Sequence, residues 1–381
     1  MSKSLRTEST HSSHEEQLMT ATSSAVLVHP TDTQLVSEVR RRRFWELLSR
    51  NVRIALQKRN RKFERVERLG PHLVIRTGYP VQVASTVSQV FGVEWAAPGV
   101  ILREPSHWPE SLLSNAGSTD ELDDTSWPYV GEQSTITERM QVELEGAGVF
   151  YSRQRISGVG GLPSGLEGRV VIMISSGLDS PVAAYKAVRR GCVPVFVHFD
   201  NSPYSDSSNR RIAVEQARTI AEFVHGVTVK MYIVPHGDDL TDVLRNVPRK
   251  MTCIFCRRNM YRLAEEVAIR EGAHAIITGE IIGEQASQTT RNLLVESSAV
   301  CRVPVLRPCA GDDKTDIERM SRLIGTYRFA SEAASCCVLA PKRPVVHANL
   351  EDIAPVEEKL DLRWIRAEVS EAEILILKEE E

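Results

Sequence analysis

From residue 169 onward, apolar runs alternate with amphipathic stretches, and this alternation constrains the fold more than any other feature of the chain. Four runs have the length of buried strands, at 170–174, 193–199, 227–234 and 274–278. Segments with helical periodicity lie between them, at 181–190, 211–224 and 260–270. Strands that alternate with helices are typical of βαβ units. The pattern predicts an α/β fold, a doubly wound, mainly parallel sheet that binds ligands at the carboxyl ends of its strands.

The composition limits the class of protein. The chain has 381 residues, of which 42% are hydrophobic and 25% charged, as in ordinary globular proteins. No apolar run approaches the roughly 20 residues of a membrane-spanning helix, and residues 1–24 lack the apolar core of a secretory signal and are predicted to be disordered. We therefore expect a cytoplasmic protein without a membrane partner. Seven cysteines in such a protein favour metal or sulfur chemistry over a disulfide framework.

The N-terminal part predicts a small α+β module at 25–100, followed by a linker at 101–165 and a catalytic domain at 166–381. Phe44, Leu48 and Val52 fall at helical spacing, and the opposite face of this helix is basic. Between residues 38 and 68 there are 12 Lys or Arg against 4 Glu. The basic face is either a solvated surface or a contact with nucleic acid, and charge alone leaves both open. Within the linker, 141–144 and 148–151 are predicted to form a pair of short strands.

The loop between the first predicted strand and its helix is the most informative string. It reads Ser175-Ser176-Gly177-Leu178-Asp179-Ser180-Pro181. Backbone N–H groups and hydroxyls at the positive end of a helix suit a pyrophosphate group. We expect Ser180 to cap that helix and Pro181 to be its first residue. The alternative interpretation is an ordinary strand–helix turn, because the string does not match the phosphate loop of the common ATPases.

This string resembles the S-G-G-x-D-S loop of the ATP pyrophosphatases, which cleave ATP between the α and β phosphates and adenylate a carbonyl oxygen. The resemblance implies that Ser175, Gly177 and Ser180 hold the pyrophosphate of ATP, and that Asp179 positions Mg²⁺ and the phosphates. Ser176 belongs to the same loop but replaces a glycine of the pattern. Its β-carbon would be costly if the backbone there is left-handed or closely approached by ligand.

Further strings follow in a fixed order. They are His198-Phe199, Cys256-Arg257-Arg258-Asn259-Met260, Thr278-Gly279-Glu280, Gln285-Ala286-Ser287-Gln288-Thr289, Arg307-Pro308 and Asp313-Lys314. Together they resemble the tRNA 4-thiouridine synthase (ThiI) family over about residues 140–360. The resemblance implies a nucleotide and substrate site that includes His198, Phe199, Gly279, Glu280 and Gln288. A highly charged phosphorus centre also needs cations, for which Arg257, Arg258 and Lys314 are candidates, although each also fits a surface cation.

The same resemblance implies a domain order and a reaction. Residues 40–100 are similar to the family's N-terminal ferredoxin-like domain. An RNA-binding THUMP domain of about 100 residues normally follows, but only about 50 residues intervene here, so we expect a truncated THUMP remnant. The implied reaction adenylates a carbonyl of uridine 8 of tRNA with ATP, after which sulfur displaces AMP to give 4-thiouridine. A homodimer is a possible arrangement in this family.

The cysteines suggest how sulfur is delivered. Cys253 and Cys256 form a C-x-x-C motif, and Cys336-Cys337 follow about 80 residues later. The branch of the family without a rhodanese domain holds an iron–sulfur cluster, of the 4Fe–4S type, on such a motif and a later cysteine. By resemblance the ligands are Cys253, Cys256 and one of Cys336 or Cys337, with Cys336 favoured. A structural zinc site and a redox dithiol remain open alternatives.

The sulfur donor is expected to be sulfide or a persulfide carrier. Two other functions stay open at this point. One is ATP-dependent sulfur insertion into another acceptor, such as a thiamine thiazole precursor or a different tRNA base. The other is a catalytically silent protein that binds RNA or carries sulfur. The replacement of glycine by Ser176 and the short THUMP segment leave this second function open.

Overall fold

The computed structural model describes residues 22–31, 37–104, 108–115, 134–332, 339–360 and 362–380. The chain divides into two compact units. The first takes in residues 1–126 and 132–162, and the second takes in 127–131 and 163–381. The boundary near residue 162 lies at the turn-rich, glycine-containing segment that precedes the first apolar run of the α/β pattern.

The first unit is built on a six-stranded antiparallel sheet of order β2-β3-β1-β4-β6-β5. Its first four strands and two helices follow in the order βαββαβ, which is the ferredoxin-like arrangement. The elements are β1 Thr22–Pro30, α1 Glu38–Lys58, β2 Arg65–Leu69, β3 His72–Arg76, α2 Pro80–Ser88, β4 Val93–Leu102, α3 Glu110–Asn115, β5 Thr135–Leu144 and β6 Gly148–Gly160.

The strand pair predicted within the linker is present and is longer than expected. β5 and β6 form a hairpin, and β6 pairs with β4, so this hairpin extends the ferredoxin-like sheet. The two strands therefore belong to the same compact unit as β1–β4. That they descend from a THUMP domain stays a prediction.

Helix α1 follows the periodicity of its sequence. Ser37 lies at the N-cap, where its hydroxyl accepts a hydrogen bond from the backbone of Arg40. Phe44, Leu48 and Val52 are buried along one face. The arginine run 40–43 is exposed. The helix therefore packs through its apolar stripe and leaves its basic residues facing solvent.

The second unit contains a six-stranded sheet of order β11-β10-β7-β8-β9-β12. All neighbouring pairs are parallel except β9 and the antiparallel edge strand β12. Its strands are β7 Arg169–Met173, β8 Val193–Asp200, β9 Val229–Pro235, β10 Ile276–Ile277, β11 Val305–Leu306 and β12 Glu373–Lys378. The mainly parallel α/β fold predicted from the sequence is confirmed.

Helices lie between these strands, as the alternation requires. They are α4 Asp179–Arg189, α5 Ser208–Ala221, α6 Gly237–Asn246, α7 Thr252–Glu271, α8 Thr290–Ser297, α9 Lys314–Leu323, α10 Tyr327–Ala330, α11 Ala354–Glu357 and α12 Ile365–Glu371, with short 3-10 turns at Arg249–Met251, Ala286–Gln288 and Leu350–Asp352. In the part of the chain that is described, no helix combines the length and apolar character needed to cross a membrane.

The order of the strands fixes where a ligand can bind. From β7 the chain passes to β8 on one side, while β10 lies on the other side of β7. The carboxyl end of β7 is therefore the point at which the strand order reverses, and open α/β sheets bind ligands in the crevice at that point. The loop 174–178 and the segment that follows β10 meet there.

Candidate active site

The loop after β7 is held by its own serines. The Ser175 backbone N–H donates a hydrogen bond of 2.9 Å to the hydroxyl of Ser180, and the two hydroxyls lie 3.0 Å apart. The N–H of Gly177 donates to the Ser175 hydroxyl at 3.3 Å. Helix α4 begins at Asp179, so the expectations that Ser180 caps it and that Pro181 is its first residue were both wrong. Ser180 is the second helical residue, and its hydroxyl instead closes the loop.

Ser176 faces away from the open side of this loop. Its side chain is buried, and its hydroxyl donates a hydrogen bond of 2.8 Å to Asn209 Oδ1. Gln216 donates to the carbonyls of Ser176 and Gly177 at 3.4 and 3.3 Å. Ser176 does not adopt a positive φ. The hydroxyl thus anchors the loop to α5, and no left-handed backbone is required where the family pattern has glycine.

Gly279 allows a close approach between β10 and the start of α4. A β-carbon at this position would lie 2.6 Å from the backbone nitrogen of Ser180 and 2.8 Å from the carbonyl carbon of Asp179. Both atoms belong to the main chain, so they cannot move aside as a flexible side chain could. The segment after β10 therefore lies directly against the start of α4 only because residue 279 is glycine.

Lys314 joins α9 to the same loop. Its ammonium lies 2.7 Å from Asp179 Oδ1 and 2.7 Å from Glu284 Oε1. Burial raises the pKa of Asp179, and the Lys314 ammonium offsets part of that effect. Burial lowers the pKa of Lys314, but its two carboxylate partners outweigh burial and raise it overall. A carboxylate and a cation therefore lie side by side at the end of the loop, which is a suitable arrangement for Mg²⁺ and phosphate oxygens.

His198 and Phe199 lie at the end of β8, beside the loop. His198 is buried, and its Nδ1 lies 3.1 Å from the carbonyl oxygen of Ile174, the residue immediately before Ser175. Burial lowers the pKa of His198. Phe199 is buried in the core. His198 therefore contacts the point where the chain leaves β7, whereas Phe199 packs into the core.

Glu280 lies at the centre of a buried charged cluster after β10. It receives hydrogen bonds from the hydroxyl of Tyr261 at 2.6 Å and from Arg307 Nε at 2.7 Å. Arg257 also forms an ion pair with Glu280, and it donates to Glu296 at 3.0 Å. Burial raises the pKa of Glu296 to about 7, although Arg257 opposes this. This cluster ties α7, α8 and β11 together at the carboxyl edge of the sheet.

Arg258 and Gln288 are both buried. Arg258 donates to Glu357 through Nε and Nη2 at 2.7 and 2.9 Å, and its Nη1 reaches the Val295 carbonyl and the hydroxyl of Ser298. These bonds link α7 to α8 and α11, and the described contacts of Arg258 do not include the phosphate loop. Gln288 closes a short turn by accepting a hydrogen bond at its backbone carbonyl from Gly283 at 3.0 Å.

Cys253 and Cys256 lie three residues apart near the start of α7, on the same face of the helix, and both are partly buried. Cys336 and Cys337 lie outside the described residues. Among the residues that are described, no three His, Cys, Asp or Glu side chains form a group able to hold a metal ion. The two placed cysteines therefore present a pair of thiols from one helical turn, which matches the spacing of a C-x-x-C motif.

The structure places beside Cys256 a histidine that the sequence interpretation did not include. His236 follows β9, and its Nε2 lies 3.3 Å from Cys256 Sγ. Its Nδ1 lies 2.8 Å from Asp239 Oδ2. The position of His236 directly after a buried strand was the available signal, since ligands in this fold bind at strand carboxyl ends.

A doubly wound, mainly parallel sheet with a serine and glycine loop at its switch point defines a domain of the PP-loop ATP pyrophosphatase class. The family model described as thiamine biosynthesis protein (ThiI) matches residues 165–362, which is about half of the chain. The chain belongs to this ThiI family, and the resemblance drawn from its motifs is confirmed.

Curated relatives carry the name probable tRNA sulfurtransferase. The protein of Methanosarcina mazei is 36% identical over 231 residues, which cover 61% of this chain and 57% of the relative. That of Thermus thermophilus is 38% identical over 230 residues, which cover 60% of this chain and 54% of the relative. The protein of Methanosarcina acetivorans is 29% identical over 387 residues and 93% of each chain. The chain thus spans little more than half the length of the first two relatives.

A solved structure extends the likeness to both units. The crystal structure of a 4-thiouridine synthetase–RNA complex with bound ATP is similar with a TM-score of 0.77 and 25% identity. The alignment covers 93% of this chain and all of the other chain. The similarity therefore includes the ferredoxin-like unit as well as the α/β unit.

Proposed function

We propose that this chain is a tRNA 4-thiouridine synthase that uses ATP to activate a uridine carbonyl, at position 8 of tRNA, and replaces its oxygen with sulfur. The observation that carries the proposal is the loop 174–178 at the switch point of the sheet, with the Asp179–Lys314 ion pair at its end. The names of the relatives and the RNA and ATP in the similar crystal structure support the same substrate class.

The exposed side of the loop supplies the groups that a pyrophosphate needs. Ser175 and Gly177 are exposed, and the Ser175 and Ser180 hydroxyls lie together at the start of α4. Hydroxyls and backbone N–H groups at a helix N-terminus favour phosphate oxygens. In the proposed complex, the β and γ phosphates of ATP lie on this loop. Asp179 would hold Mg²⁺ against them, while Lys314 would neutralise charge on the α phosphate.

The proposed chemistry is an in-line displacement followed by a substitution. The carbonyl oxygen of the uridine attacks the α phosphorus of ATP, a new P–O bond forms, and pyrophosphate leaves. Sulfide then bonds to the activated carbon. Where a persulfide carrier is the donor, a second thiol first cleaves its S–S bond, forms a disulfide with the carrier and releases that sulfide. The C–O bond breaks, and AMP leaves with the original carbonyl oxygen. The Lys314 ammonium, beside Asp179, stabilises the charge that develops on phosphorus in the first step.

The thiols of α7 are suited to an iron–sulfur cluster. Cys253 and Cys256 project from a single turn, and His236 lies at hydrogen-bond distance from Cys256, as outer groups of metal sites commonly do. Cys336 or Cys337, outside the described residues, would supply the third thiolate. A cluster on three thiolates would offer an iron position to which sulfide can bind.

The basic face of α1 is the proposed contact with tRNA. The arginines at 40–43 are exposed at the start of this helix. A row of guanidinium groups attracts phosphates and makes binding sensitive to salt. Individual substitutions there should therefore weaken tRNA binding without changing the chemistry of the α/β unit.

The experiment that tests the proposal measures thiouridine directly. Anaerobically purified protein is incubated with unmodified tRNA, ATP, Mg²⁺ and sulfide, and the nucleosides are analysed by mass spectrometry. The account predicts a gain of 4-thiouridine that requires ATP and is absent from tRNA whose uridine 8 is replaced by cytidine. A protein that releases pyrophosphate with a small-molecule sulfur acceptor but not with tRNA would contradict the substrate assignment.

A further inference from the structure

Two pairs of side chains, one pair from each helix, meet between α6 and α7. The two members of each pair are three residues apart, or about one helical turn. His236 and Asp239 lie at the start of α6, and Cys256 and Asn259 lie near the start of α7. His236 Nε2 is 3.3 Å from Cys256 Sγ, while Asn259 donates a hydrogen bond of 3.2 Å to Asp239 Oδ2. The same Asp239 oxygen lies 2.8 Å from His236 Nδ1, off the axis of a ring N–H. The four side chains are thus linked in the order Cys256, His236, Asp239 and Asn259, beginning at one sulfur atom.

This group is fixed in position by its surroundings. The side chains of His236 and Asp239 are fully buried. The backbone N–H of His236 donates to the carbonyl of Asp200 at 2.9 Å, which ties the residue to the end of β8. The ring of Phe199 packs against the imidazole with the ring centres 5.7 Å apart. Full burial, the backbone bond to Asp200 and the ring of Phe199 therefore leave the imidazole little freedom to change its orientation.

We propose that His236 is a positioning residue for the sulfur of Cys256, with Asp239 and Asn259 holding the imidazole in place. Nε2 and Sγ share one hydrogen. A free thiol donates it to the ring nitrogen, whereas a thiolate bound to iron accepts it from a ring N–H. Hydrogen bonds to ligating sulfur tune the potential of an iron–sulfur cluster. The inference rests on the proposed sulfur chemistry of Cys256, and it adds a residue to that site.

Two substitutions separate the hydrogen bond from the shape of the ring. His236→Phe keeps an aromatic ring but removes both nitrogens, whereas His236→Gln keeps a hydrogen-bonding amide nitrogen close to Nε2. In the full-length, iron-loaded protein, the midpoint potential of the cluster is measured by redox titration followed by electron paramagnetic resonance. We expect His236→Phe to shift the potential to more negative values and His236→Gln to stay close to wild type. His274→Phe, at an exposed histidine, is the control for surface effects.

An unchanged potential in His236→Phe would overturn the inference. Loss of iron from both the Phe and the Gln variants, with the fold intact by circular dichroism, would also overturn it, since it would make His236 a ligand. If His236→Phe does not fold, Asp239→Asn takes its place, because a neutral amide holds the ring less firmly and should shift the potential in the same direction. An unchanged potential in that variant would then contradict the proposal.

A metal-free measurement separates this inference from the proposed cluster. Protein stripped of iron by a chelator reacts with iodoacetamide at one pH, and mass spectrometry gives the ratio of labelled Cys256 to labelled Cys253. We expect this ratio to fall several-fold in His236→Phe, because the variant lacks the Nε2 contact that positions the sulfur for attack. In the labelling step sulfur bonds to carbon, iodide leaves and the thiol proton passes to the buffer. If the wild type binds no iron, the proposed cluster fails, and this ratio alone decides the inference. An equal ratio in wild type and His236→Phe would overturn it.

Discussion

Lys314 Nζ lies 2.7 Å from Asp179 Oδ1, and this ion pair joins the first residue of α9 to the first residue of α4. The two residues are far apart in sequence, yet they come together at the open end of the phosphate loop. Lys314 also reaches Glu284 in the segment after β10. Three segments of the α/β unit therefore converge on the position proposed for the phosphates of ATP.

Replacing Asp179 tests this convergence. Asp179→Ala should lower the rate of tRNA-dependent pyrophosphate release by about 100-fold or more, because the variant lacks the carboxylate proposed to hold the Mg²⁺ that stabilises charge on the phosphates. The matched control is Asp316→Ala, which removes a half-buried aspartate from the first turn of α9, the helix that begins with Lys314, and breaks its ion pair with Arg319. The control should leave the rate within about twofold, since exposed ion pairs contribute little. Equal rates for the two variants would remove Asp179 from the site.

The close approach at Gly279 gives a second prediction. In Gly279→Ala, the added carbon would meet backbone atoms of Ser180 and Asp179 at 2.6 and 2.8 Å. Overpacking of this kind costs about 1–3 kcal/mol, which corresponds to a loss of roughly 5- to 140-fold in ATP affinity if the loop must shift. Gly311→Ala is the control, because a β-carbon there meets nothing within 4 Å. Calorimetric titration with ATP checks both, and unchanged affinity in Gly279→Ala would argue against a ligand on this loop.

Substitutions of the cysteines in α7 should affect iron binding and thiolation without affecting nucleotide binding. Cys253→Ser and Cys256→Ser are each expected to lose bound iron and 4-thiouridine formation while ATP affinity is retained, because the thiols and the phosphate loop lie on different elements. The control is Cys301→Ser, at an exposed cysteine outside this helix. Iron content, acid-labile sulfide and ATP binding are measured on the same preparations. A Cys256→Ser protein with full iron content and thiolation would refute the ligand assignment.

Glu296 predicts how stability varies with pH. Burial raises its pKa from 4.5 to about 7, so between these values the folded state binds more protons than the unfolded state. The free energy of unfolding should therefore fall as the pH rises through this window, by an amount on the order of 3 kcal/mol for this group. Glu296→Gln should flatten the dependence, whereas Glu358→Gln, at an exposed residue, should not. Urea unfolding at several pH values measures the slopes, and identical slopes for wild type and Glu296→Gln would contradict the prediction.

Features carried by contiguous residues were the ones that the sequence predicted well. The apolar runs predict the parallel strands because a buried strand needs no partner information to be recognised. The loop beginning at Ser175 predicts a phosphate site because its residues are consecutive. The same reasoning placed Ser180 at the helix cap and Pro181 at the first helical position, but the helix begins two residues before Pro181, at Asp179, and the Ser180 hydroxyl bonds back to Ser175.

Features that depend on distant partners could not be predicted in the same way. Ser176 reads as a departure from the glycine pattern until its bond to Asn209 on another helix is known. From the sequence, Arg258 is a candidate cation for the phosphates of ATP. In the structure it pairs with Glu357, about 100 residues later in the chain. His236 carries no motif at all, and only the packing of α6 against α7 brings it to Cys256. Each case depends on tertiary packing, which local sequence does not encode.

The central claim is that ATP adenylates the carbonyl oxygen that sulfur later replaces, and the transfer of that oxygen tests it most directly. Unmodified tRNA carrying ¹⁸O at the carbonyl of uridine 8 is incubated with the protein, ATP, Mg²⁺ and sulfide, and the products are separated for mass spectrometry. The account predicts ¹⁸O in AMP, in an amount equal to the 4-thiouridine formed, and unlabelled pyrophosphate. Formation of 4-thiouridine with unlabelled AMP, or with ¹⁸O in phosphate or pyrophosphate, would contradict it.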